Sequence, residues 1–258
     1  MSKFPHRNAV LIAALFGLVG TFAQGFTSAW YLLILSVAGL CWLLFRPGRR
    51  VLGPKIGFLI GMAWGLSYFV VGVGWLFISM HRYGAMPAPL AAAGVLALAT
   101  LLASFGAVAC AVSLRFERSF WAQATMFSAL WGLTEWTRGW IFTGFPWLAL
   151  GYSQLDGPLE SLAPFIGVFG ISILVCLLGA SLSRGAWQLK ERRWFRSAKI
   201  VGATLSVILL CHFGAKALPT FSEPSGPAIS VRLVQGNIPQ EMKFDADKAR
   251  AADRKSVV

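Results

Sequence analysis

Seven long apolar runs separated by short polar connections dominate the chain, at residues 9–23, 29–45, 56–80, 90–114, 121–141, 162–182 and 200–218. Each is close to the roughly 20 residues a helix needs to cross a bilayer, the first being short. The pattern predicts an all-α polytopic membrane bundle of about seven transmembrane helices over residues 1–218. In the third run, Gly57, Gly61 and Gly65 recur at four-residue spacing and give one smooth helix face on which a neighbour can pack closely. Trp30, Tyr31, Trp75, Tyr83, Trp121 and Trp147 fall near run ends, where amphipathic rings favour the headgroup level.

Beyond residue 218 the pattern changes. Residues 219–228 carry Pro219, Pro224, Gly226 and Pro227 and predict a linker. Ile229, Val231 and Leu233 then alternate with Ser230 and Arg232, the period-two signature of a half-buried strand, which Gly236, Asn237 and Pro239 end. The polar stretch 240–258 predicts the start of a helix. One strand and part of a helix cannot bury a core, so residues 229–258 are expected to be the incomplete start of a second domain.

Composition agrees with a membrane protein: 57% of residues are hydrophobic and 13% charged, outside the usual ranges for soluble domains. A net charge of +13 would suit a nucleic-acid partner if it formed a stripe. Here it is split into clusters between apolar runs, which excludes that class. Lys3 and Arg7, then Arg46, Arg49, Arg50 and Lys55, then Arg115 and Arg118, then Arg184, Lys190, Arg192, Arg193, Arg196 and Lys199 occupy alternate connections, and the intervening ones hold Arg82 and Arg138. That asymmetry predicts a cytoplasmic N-terminus and delivers the residues after the seventh run to the opposite side. Lys3, His6 and Arg7 ahead of the first run also resemble a secretory signal; the many runs that follow favour an uncleaved first helix. Cys41, Cys110, Cys176 and Cys211 lie in or beside apolar runs without a CxxC or a nearby His, so they are expected to be small core residues and not metal ligands.

The segment 135–164, EWTRGWIFTGFPWLALGYSQLDGPLESLAP, departs from a plain span. It carries Glu135, Arg138, Asp156 and Glu160 and breaks the backbone with Gly144, Pro146, Gly157 and Pro158. Glu135 and Arg138 share a helix face. As a structural device they predict an internal ion pair; as a functional one, a polar wall toward a lipid headgroup or acyl acceptor. Irregular backbone at membrane depth is tolerated where it is buried in protein or lines a cavity. Trp147 and Tyr152 on this segment, and His81 and Tyr83 on the connection 81–86, are the remaining candidates for contact with lipid or substrate.

TEWTRGW at 134–140, TGFPWLALGYSQLDGPLESLAP at 143–164 and VRLVQGNIPQ at 231–240 together resemble bacterial apolipoprotein N-acyltransferase. The resemblance covers the apolar part almost throughout and the first residues beyond it. It implies a helical bundle in the inner membrane carrying a periplasmic α/β nitrilase-like (carbon-nitrogen hydrolase) domain. It further implies transfer of an acyl chain from a phospholipid donor to the α-amino group of a diacylglyceryl-cysteine lipoprotein acceptor. The chemistry implied has a cysteine thiolate attack the ester, a glutamate act as general base and a lysine stabilise the oxyanion. No cofactor or metal is implied, and no P-loop, GxGxxG or HExxH motif is present.

The implied glutamate, lysine and cysteine belong to the nitrilase-like domain beyond residue 258, so no catalytic residue is assigned here. Glu241 is too close to the first strand to be the base, and Phe244 stands where the family often carries tryptophan. The chain as written is therefore expected to be truncated and inactive alone. A stand-alone lipid-binding or scaffold module is the competing class. A transporter would require internal repeats or ionisable residues in the middle of several spans, and neither is evident.

Overall fold

Each predicted apolar run is helical in the computed structural model, which describes residues 6–45, 52–115, 119–217, 226–227 and 229–233. The helices are α1 (His6–Gly25), α2 (Trp30–Leu44), α3 (Pro54–Gly72), α4 (Trp75–Ile78), α5 (Ala88–Ser113), α6 (Phe120–Arg138), α7 (Ala163–Lys190) and α8 (Trp194–Ala217). Proline stands in the first turn of α3, α5 and α7, where its missing N–H costs nothing. The Ser119 hydroxyl accepts from the Ala122 amide at the start of α6.

Five of these helices, α1, α3, α5, α7 and α8, are long and apolar enough to cross a membrane, against about seven expected. Helix α2 is apolar but has 15 residues, and α6 ends in Thr134, Glu135, Thr137 and Arg138. The run 56–80 is not one span. It breaks after Gly72, turns through Val73 and Gly74, and resumes as α4; Leu148 packs on Gly72 where a side chain would otherwise sit. A π-helical turn, Ser79–Tyr83, follows α4.

The glycine face of α3 docks on α5 as its spacing predicted. A Cβ at Gly61 would lie 2.8 Å from both Ala107 Cα and Cys110 Sγ, and one at Gly65 would lie 2.9 Å from Ala103 Cβ. Helix α1 also packs on α3, with Gly17 against the Trp64 carbonyl. Trp64, Tyr68, Leu33, Leu40 and Phe127 fill the centre; Trp64 stacks on Tyr68 at 4.9 Å and meets Trp131 edge-on at 5.4 Å.

Successive long helices alternate in direction. One end of the bundle holds the starts of α1, α3, α6 and α8 and the ends of α2, α5 and α7. Arg7, Lys55, Arg115, Lys190, Arg192, Arg193 and Arg196 gather there, and Lys190 lies 5.0 Å from the Trp187 ring, which stacks on Trp42. The opposite end holds the connections 73–87 and 139–162. Cys41, Cys110 and Cys176 are buried, whereas Cys211 is partly exposed.

The predicted strand is not observed. Ile229, Val231 and Leu233 are exposed, and residues 229–233 pair with no other segment among the described residues, since a strand forms only against a partner. The rest of that prediction, at 234–258, lies outside the described residues.

Candidate functional site

Backbone that leaves the helical path near membrane depth must find its hydrogen bonds elsewhere. After α6 the chain makes a one-turn 3-10 helix, Ile141–Thr143, with Phe142 and Thr143 at φ of 53° and 71°, then crosses Gly144 at φ 86°. Leu148 has φ 61°. Three non-glycine residues in the left-handed region are costly, and such strain persists only where the surroundings over-determine it.

The surroundings here are side chains from four helices. Arg138 Nη1 donates to the Trp147 carbonyl at 2.9 Å. Tyr68 on α3 donates its hydroxyl to the Leu148 carbonyl at 3.2 Å. Gln24, at the end of α1, donates to the Ala149 carbonyl at 3.1 Å and to the Tyr68 hydroxyl at 2.7 Å. The Leu150 amide donates to Glu135 Oε1, and the Gly151 amide to the Ser172 hydroxyl of α7. Five consecutive residues, 147–151, are thus each held by a different side chain. Gly151 is required by this docking, because a Cβ there would lie 2.2 Å from the Val168 carbonyl oxygen.

Glu135 and Arg138 share a helix face as predicted, but no direct ion pair joins them. Each reaches the connection instead, and both are at least 95% buried. Glu135 Oε1 also accepts from Trp131 Nε1 at 3.0 Å, and the Arg138 guanidinium lies 5.0 Å over the Phe69 ring, a desolvated cation–π contact. Their remaining atoms, Glu135 Oε2 and Arg138 Nη2, have no hydrogen-bond partner. Both residues line a cleft of about 10 Å³ between α3, α5 and α6, at the lower limit for a single water. Both side chains are buried and bonded to the connection, Arg138 to Trp147 and Glu135 to Leu150.

Trp147 and Tyr152 do reach the surface, at 62% and 39% exposure. Trp136, Trp140, Phe142 and Leu155 are also exposed nearby in sequence, and Phe145 packs 5.2 Å from Trp147. His81 and Tyr83 lie on the π-helical turn. The His81 ring bonds the Met86 carbonyl at 2.8 Å and packs against Phe77, while Arg82 lies 5.9 Å over the Tyr83 ring. Among the described residues no His, Cys, Asp and Glu cluster could hold a metal ion.

Sequence reasoning missed Gln24, Tyr68 and Ser172. Their signal was present as isolated polar groups in otherwise apolar runs, but nothing in the spacing links residue 24 to residue 149.

The fold and site together define a polytopic helical membrane protein in which four helices grip one irregular connection and display its aromatic side chains at the bundle end. Residues 11–181 match the apolipoprotein N-acyltransferase N-terminal domain, so this chain belongs to that family. It is 41% identical over 243 residues to the apolipoprotein N-acyltransferase of Ralstonia nicotianae, covering 92% of this chain and 44% of the relative. It is 40% identical over 222 residues to that of Verminephrobacter eiseniae, 83% of this chain and 41% of the relative, and 39% identical over 242 residues to that of Methylococcus capsulatus, 92% and 45%. The chain spans less than half the length of these relatives.

Proposed function

We propose that this chain is the membrane half of an apolipoprotein N-acyltransferase, whose bundle orients a phospholipid acyl donor and a diacylglyceryl lipoprotein acceptor beneath a nitrilase-like domain. The observation that carries this reading is the five-residue clamp at 147–151. Strained backbone held by four helices fixes where the exposed Trp147 and Tyr152 stand, and such fixed aromatic ledges suit acyl chains and headgroup boundaries. The segment 229–233 follows α8, whose last turn lies at the same end of the bundle as the clamp, so a domain begun there would stand over it.

In the proposed topology α2 and α6 also cross the membrane, giving seven spans. The N-terminus and basic end face the cytoplasm, and the clamp faces the periplasm. Residues 219–228 are the linker, and 229–258 begin the extramembrane domain. A cysteine, glutamate and lysine supplied by that domain perform the two acyl transfers. Fusing residues 1–233 to the extramembrane domain and final helix of the Ralstonia nicotianae relative tests this. The chimera is expected to N-acylate a diacylglyceryl-cysteine peptide from phospholipid. A folded chimera without activity would overturn the assignment.

A stand-alone lipid-binding module is the second reading. It is favoured by one fact: the clamp is completed by residues 24–172 alone. It predicts phospholipid retention by the 258-residue chain without turnover.

A further inference from the structure

Helix α8 is the least embedded of the apolar helices: 11% of its span is buried, against 33–39% for the other four. Between α8, α7 and the start of α6 runs an open groove of about 380 Å³, within the usual range for a small-molecule site. Its walls are apolar, with Trp121, Leu174, Leu177, Leu178 and Val207 among them. The two hydroxyls in the lining are already satisfied, Ser181 by the Leu177 carbonyl and Thr204 by the Ile200 carbonyl. Lys199 closes the basic end and Cys211 the other. That separation is a rise of about 18 Å along α8, more than one leaflet of a hydrocarbon core roughly 30 Å thick.

Arg192, Arg196 and Lys199 differ from Arg184, Lys190 and Arg193 at this end, and of the first three Lys199 lines the groove. Arg184 lies over the Phe120 ring, Lys190 over Trp42 and Trp187, and Arg193 pairs with Glu191 at 3.5 Å. Lys199 has no hydrogen-bond or ion-pair partner among the described residues, and exposed Arg196 precedes it by one turn. We infer that this groove binds one anionic phospholipid from the leaflet at the basic end, its phosphate on Lys199 and one acyl chain along α7 and α8. None of the residues lining the groove belongs to the 147–151 clamp, so its occupant is a resident lipid and not the acyl donor held there. An apolar protein helix would fill the same walls but would leave the ammonium without an anion.

The test uses the 258-residue chain in phosphatidylcholine nanodiscs doped with phosphatidylglycerol that carries a photoactivatable diazirine in its acyl chain, with labelled peptides mapped by mass spectrometry. Labelling at Leu177, Thr204 and Val207 is expected to exceed several-fold that at Leu96, Leu101 and Val108 on the outer face of α5. Lys199→Glu should lower groove labelling by at least about fivefold, from the strength of one basic side chain near an anionic headgroup, and Lys199→Arg should restore it. Ala203→Trp should fill the groove and reduce its labelling to the α5 level. Unchanged α5 labelling shows that each variant remains folded. Groove labelling no higher than at α5, insensitivity to both Lys199→Glu and Ala203→Trp, or crosslinks from the groove to a second copy in place of lipid would each overturn the proposal.

Discussion

Glu135 is the sharpest point at which to test the clamp. Its Oε1 accepts two buried hydrogen bonds, from Trp131 Nε1 and the Leu150 amide, each at 3.0 Å. Glu135→Gln keeps an oxygen acceptor in that position and removes the charge; Glu135→Leu removes both. The difference between the two variants therefore isolates the hydrogen bonds, because each leaves Arg138 equally without a carboxylate nearby. Buried hydrogen bonds in membrane bundles average about 0.6 kcal/mol and those in soluble proteins about 1 kcal/mol, with up to about 3 for a donor left unsatisfied. Two such bonds predict that Glu135→Leu is less stable than Glu135→Gln by about 1–3 kcal/mol. Thermal unfolding in a mild detergent, followed by tryptophan fluorescence, measures this, and hydrogen exchange at the Leu150 amide should accelerate selectively in the leucine variant. Equal stabilities with equal exchange would refute the clamp as the role of Glu135.

The remaining predictions address separate features. Gly61→Leu should separate α3 from α5 and cost about 1–3 kcal/mol or more from overpacking, visible as a lower unfolding midpoint. Gly167 has φ 63° and ψ −179° and open space around its missing Cβ, so Gly167→Ala should destabilise by about 1–3 kcal/mol through backbone strain alone. Gly202→Ala, in helical backbone with equal space, should be neutral or stabilising by up to about 1 kcal/mol. In native protein Cys211 should react with a small maleimide well before Cys41, Cys110 or Cys176, which are fully buried. An alkaline phosphatase reporter at Pro224 should be active in the proposed orientation; activity confined to a cytoplasmic reporter at that position would reverse it.

The helices were legible in the sequence because a membrane imposes length and hydropathy on each run independently, and the α3 glycine face because a four-residue repeat reports a contact surface. The segment 135–164 was legible as an anomaly, through charges and helix breakers that lipid would not tolerate. The direction of Glu135 and Arg138 was not. Three-residue spacing puts them on one face, but only the folded connection offers a closer partner to each than the other, the Leu150 amide to one and the Trp147 carbonyl to the other. The contact of Gly72 with Leu148, 76 positions away, was hidden for a similar reason, because hydropathy carries no information about it.

The clamp also explains why α6 should carry charge at all. A connection of ordinary turns would need no buried acceptor, and α6 could then be as apolar as α5. Holding 147–151, which passes through left-handed Leu148 into a short 3-10 helix, leaves three carbonyls and two amides to be satisfied away from water. A neutral side chain can serve each, as Tyr68, Gln24 and Ser172 do. The charged pair sits where the path leaves and rejoins the helix face, at Trp147 and Leu150, and hydrogen bonds to charged groups are stronger by roughly a factor of two. The charges thus hold Trp147 and Leu150, which stand at either end of the left-handed turn at Leu148. Weakening either end should free Trp147 and Tyr152 before it unfolds the bundle, and that order of events separates a positioning clamp from a general core contact.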